Sequence, residues 1–64
     1  MLSNARILAY ARTMDAGLRT IEEVQEDYRV AVYVELIARY DWTLEEVDAR
    51  YIDQVKKELG LIQQ

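Results

Sequence analysis

The chain has 64 residues, no Cys and no His, and a formal net charge of −4. That length allows one domain, 1–64, and excludes disulfide staples and the thiolate or imidazole sites that hold zinc and haem. An acidic balance with only eight Lys and Arg argues against a nucleic-acid ligand, because phosphate contacts need clustered cations. Half of the residues are hydrophobic (52%), which is a folded composition. No apolar run approaches the roughly 20 residues of a membrane span. The start, Met1-Leu2-Ser3-Asn4-Ala5-Arg6, has no basic opening, long apolar core or cleavage site, so no signal peptide is expected.

The first predicted element is a helix over about 3–16. It runs through good helix formers, Ala5 to Ala16, and stops at Gly17, with the apolar Leu18 next. Thr20 reads as an N-cap, with Glu23 at the capping-box spacing, and opens a short helical turn over about 21–25. A second helix follows over about 26–40. Its run Val30-Ala31-Val32-Tyr33-Val34 is β-branched enough for a strand, but strict alternation fails and helical spacing continues through Tyr40. Thr43 and Glu46 repeat the cap and open a second turn over about 44–48. Trp42, before this cap, and Val47 stand at the spacing of a hydrophobic staple. A third helix covers about 49–59, with Lys56 and Lys57 in its last turn, Gly60 past its end and Leu61 after that. Asp27 and Asp48 are the places where a new segment can start after each turn.

These elements restate one unit. A shift of 23 residues sets Tyr10 on Tyr33, Thr20 on Thr43, Glu22-Glu23-Val24 on Glu45-Glu46-Val47, Tyr28 on Tyr51, Val32 on Val55, and Glu35-Leu36 on Glu58-Leu59. Such self-similarity marks a repeated supersecondary unit. The units, about 5–36 and 28–59, overlap in the central helix. That helix then carries two apolar faces. Tyr28, Val32 and Leu36 lie on one, and Val30, Tyr33, Val34 and Ile37 on the other. The predicted fold is all-α: three main helices with short helical turns between them, the central one buried on both faces.

The run Gly17-Leu18-Arg19-Thr20-Ile21-Glu22-Glu23-Val24-Gln25-Glu26-Asp27-Tyr28-Arg29 resembles a motif, G-x-x-T-I-x-x-V-P-x-x-Y-R, in very short proteins of phages and prophages of Gram-positive bacteria. Their genes often sit beside tail and lysis genes, as in the XkdX-like group. This chain differs in having Gln25 where Pro is usual and in carrying the unit twice. The resemblance implies a mobile-element origin and a small accessory role, in the host cytoplasm or on the virion. It implies no activity and no site.

Little here suggests catalysis. Ser3 is the only Ser, there is no His base or Cys nucleophile, and there is no Gly-rich phosphate loop. The acidic groups at Glu22, Glu23, Glu26 and Asp27 and at Glu45, Glu46 and Asp48 are expected from capping, and they lack the loop of a calcium site. The six Arg, at 6, 12, 19, 29, 39 and 50, form no run and read as a solvated face, with Arg39 paired to Glu35 four residues before it. Arg39, Tyr40 and Trp42 are the candidate partner-binding residues. Tyr40 and Trp42 break the repeat, standing where the first unit has Gly17 and Arg19, and aromatic residues beside Arg compose hot spots. The expected function is that of a non-enzymatic interaction module without cofactor or metal, self-associating because so small a core is marginal alone. The alternative is an inhibitor or regulator of a host or defence protein, its acidic surface blocking a basic site.

Overall fold

The computed structural model describes residues 1–60. Three α-helices form: α1 over Asn4–Asp15, α2 over Arg29–Tyr40 and α3 over Ile52–Glu58. Between them lie four single 3-10 turns, at Ile21–Glu23, Glu26–Tyr28, Leu44–Glu46 and Ala49–Tyr51. No strand is present among the described residues, and the β-branched run 30–34 is helical.

Local chemistry sets the boundaries. Ser3 caps α1 by accepting from the Arg6 amide at 3.3 Å. Gly17, at φ 77°, closes its end: the Gly17 amide donates to the Met14 carbonyl at 3.0 Å and the Leu18 amide to that of Thr13 at 2.9 Å. The apolar contact expected of Leu18 is not made, and its side chain is 77% exposed. At the end of α2 the left-handed residue is Asp41 (φ 59°), and the amides of Asp41 and Trp42 both reach the Leu36 carbonyl. Gly60 takes the left-handed conformation past α3; Leu61 lies outside the described residues.

Thr20 and Thr43 carry their capping boxes, though each box closes a single 3-10 turn. The Glu23 carboxylate accepts from the Thr20 amide at 2.8 Å, and the Glu46 carboxylate from that of Thr43 at 2.9 Å. Extended residues then turn the corner: Val24 and Gln25 in one link, Val47 and Asp48 in the other. The short turns are therefore separate from the helices that follow. The second segment opens at Asp48, as expected, whereas the first opens at Gln25 rather than Asp27.

The core joins Ala11 and Met14 of α1, Val32, Tyr33 and Leu36 of α2 and Val55 of α3 to Tyr28 and the corner residues Val24 and Val47. Two tyrosine pairs bracket α2. Tyr28 meets Tyr10 edge-on, with ring centres 5.6 Å apart, and Tyr33 meets Tyr51 at 6.2 Å. The central helix supplies more of the core than α1 or α3. Its second face is nevertheless only half covered, because Val30, Val34 and Ile37 stay partly exposed. The expectation of burial on both faces holds fully for one face.

Candidate functional site: an acid-rimmed groove

The half-covered face of α2 lines a groove of about 410 Å³. Leu2 and Ile7, at the start of α1, form one apolar wall, and Val30, Ala31 and Val34 of α2 form the floor. Gln54 and Glu58 of α3 close the far side. Carboxylates stand at the rim: Asp27 before α2, Glu35 on it, and Glu58. No Lys or Arg lines the groove among the described residues. The volume is that of a small binding site.

Glu35 is the best-held of these acids. Its side chain is only 17% exposed, with Arg39 Nε 2.9 Å from Oε2. That oxygen is shut off from solvent, and the contact misses hydrogen-bonding geometry. The pair is ionic, and Glu35 keeps unused acceptor capacity. Among the described residues no cluster of acids converges as cation ligands do. Among the described residues that line the groove, no nucleophile stands beside a partnered base.

The residues singled out in the sequence lie at the other end of α2. Arg39 is 70% exposed and touches the groove only through Glu35. Tyr40 and Trp42 are half-buried and pack on the core. The Trp42 indole N–H donates to Asp15 Oδ1 at 3.0 Å, tying the link after α2 to the last residue of α1. Arg19, its counterpart in the first unit, lies over the Tyr10 ring at 5.0 Å and donates to Thr13 Oγ1. Neither Tyr40 nor Trp42 lines the groove.

The reading of all six Arg as a solvated face fails for Arg29, which is 13% exposed. Its Nε donates to the Val24 carbonyl at 2.9 Å and its Nη1 to the Tyr51 hydroxyl at 2.9 Å. The Tyr51 hydroxyl raises the Arg29 pKa, so the cation is secure at any ordinary pH. Arg50 bonds the carboxylates of Asp48 and Glu22, joining the two links. Its guanidinium holds the Asp48 carboxyl below the usual range. Of the acids of the turns, Glu22 and Asp48 are paired in this way.

Two features of the sequence bear on the groove. Val30 and Val34 lie on the second apolar face of α2, and Glu35 and Glu58 coincide under the 23-residue shift. What the sequence lacked was the placement of α3, which sets Glu58 and Gln54 opposite that face. No family model, curated protein or solved structure matches the chain. No helix among the described residues is long and apolar enough to cross a membrane.

Proposed function

We propose that the protein is a non-enzymatic interaction module of phage or mobile-element origin, which uses the groove between α1, α2 and α3 to hold a protein partner. The observation that carries this reading is the incomplete cover of α2. A 64-residue chain has few large apolar residues to spare, yet Val30, Val34 and Ile7 stay partly exposed at one place. Surface apolar groups gathered in a concavity mark an interaction site. The rim carboxylates also suit the second reading, an inhibitor that covers a basic site on a host or defence protein.

Affinity purification of the tagged protein from a bacterial host tests the proposal. A specific partner should co-purify and be lost with Val34→Asp, while Glu45→Gln, away from the groove, leaves it in place. Failure to enrich any partner over the tag alone overturns the reading. The self-association expected from the sequence is tested on the same preparation: sedimentation showing a 7.5 kDa monomer at high micromolar concentration removes it.

A further inference from the structure

The chemistry of the groove narrows the kind of partner, given the interaction reading above. Its lining joins aliphatic Val30, Val34 and Ile7 to three acids, Asp27 and Glu35 near α2 and Glu58 on α3. Among the described residues that line it there is no cation. Glu35 is already paired with Arg39, so the rim charge left for an occupant is that of Asp27 and Glu58. An occupant that brings positive charge neutralises those two carboxylates. An occupant that brings aliphatic side chains covers Val30, Val34 and Ile7. Lys and Arg join both properties in one residue, an apolar stem under a charged head.

We infer that the groove takes a basic amphipathic helix of a partner protein. Its aliphatic side chains lie on Val30 and Val34, and its Lys or Arg heads reach Glu58 and Asp27. The groove runs between helices, and no strand edge exists among the described residues to template an extended peptide. A helix in such a groove presents anchors at i, i+3, i+4 and i+7, and a space of about 410 Å³ holds a few aliphatic side chains. Anionic lipid and nucleic acid are both repelled by this rim. A second copy is disfavoured by charge, since each chain carries −4. It is also poorly equipped: Leu8 of α1 is the one large apolar residue of the described helices that stands exposed.

The test uses the whole protein with labelled methyl groups and a synthetic 14-residue amphipathic helix of Leu and Lys as probe, followed by NMR. The Leu/Lys peptide should shift the methyls of Ile7, Val30 and Val34. The same peptide with Glu for Lys should bind at least tenfold more weakly. Asp27→Lys and Glu58→Lys, both on the exposed rim, should each weaken the Leu/Lys peptide about tenfold while circular dichroism stays that of the parent. Equal binding of the two peptides overturns the inference. So do shifts confined to residues outside the groove, affinity unmoved by both rim variants, or groove methyls already covered by self-association. Purification from the host does not depend on the groove's charge. A partner recovered there, with a groove indifferent to the Leu/Lys peptide, removes this inference alone.

Discussion

Gln25 and Asp48 have almost the same backbone, φ −54° and ψ 133° against φ −55° and ψ 134°, yet they have different work. Both angles suit proline, whose ring fixes φ near −65°. Val24 and Val47, the residues before them, are extended, as a residue before proline must be. The Gln25 amide donates to nothing among the described residues, whereas the Asp48 amide donates to the Tyr33 hydroxyl at 3.2 Å. The Asp48 side chain also caps the Arg50 amide. Gln25→Pro should therefore stabilise the fold by about 0.4–1 kcal/mol, through the unfolded chain, and raise the melting temperature by a few degrees. It gives up only a 3.4 Å contact with Arg6. Asp48→Pro should lower the melting temperature, because it strands a buried hydroxyl and removes a cap. Equal effects of the two substitutions in thermal melts count against this account. The Pro in the motif that this segment resembles stands at the tolerant position, 25.

At the scale of elements, the three helices and both caps were legible because each rests on neighbours in sequence. Thr20 with Glu23 and Thr43 with Glu46 need only three residues to make their bonds. Tertiary bonds were not legible. Arg29 looks like any surface Arg until the 3-10 turns on both sides of α2 bring the Val24 carbonyl and the Tyr51 hydroxyl to its guanidinium. One signal was present: the 23-residue shift also pairs Arg29 with Arg6, and Arg6 lies over the Tyr28 ring as Arg29 bonds Tyr51. The groove stayed hidden because it depends on where α3 docks. The left-handed Asp41 stayed hidden because no Gly follows α2 to mark it, as Gly17 and Gly60 do after α1 and α3. Trp42 was visible as a break in the pattern but not as a tether, since its acceptor, Asp15, lies 27 residues earlier. A double-mutant cycle of Trp42→Phe and Asp15→Ala isolates that bond. Each single variant should lose about 0.5–1.5 kcal/mol in urea unfolding, and the double variant little more than the worse single one. Fully additive losses show that the indole N–H contributes nothing to joining α1 to the link after α2.

The whole molecule has little stability to spare, and two interventions should expose that. Leu36 is fully buried at the centre of α2. Its replacement by Ala should cost about 2–5 kcal/mol, against a total of roughly 3–10 kcal/mol for a chain of this length. Leu36→Ala should thus leave a substantial unfolded fraction near room temperature, visible as a broad, early melt by circular dichroism. The second intervention is pH. Arg50 holds the Asp48 carboxyl below its ordinary 3.8, so the stability from that carboxylate is complete above 3.8 and is lost as the pH falls below it. Tyr33 works in the opposite sense. Burial penalises its phenolate and raises its pKa above the ordinary 10.0. The unfolded chain then gives up the proton first, and alkali favours unfolding. The contribution of Tyr33 is fully present below pH 10 and is lost as the pH rises from there through the raised value. Tyr33→Phe cannot ionise, so it separates this effect from the other groups that titrate in alkali. At pH 8 the variant should be the less stable protein, because the Asp48 amide loses its acceptor. From pH 9 to 11 its urea midpoint should fall less steeply than that of the parent, and the gap between the two should narrow. Parallel slopes across that range mean that burial of Tyr33 does not couple folding to its proton.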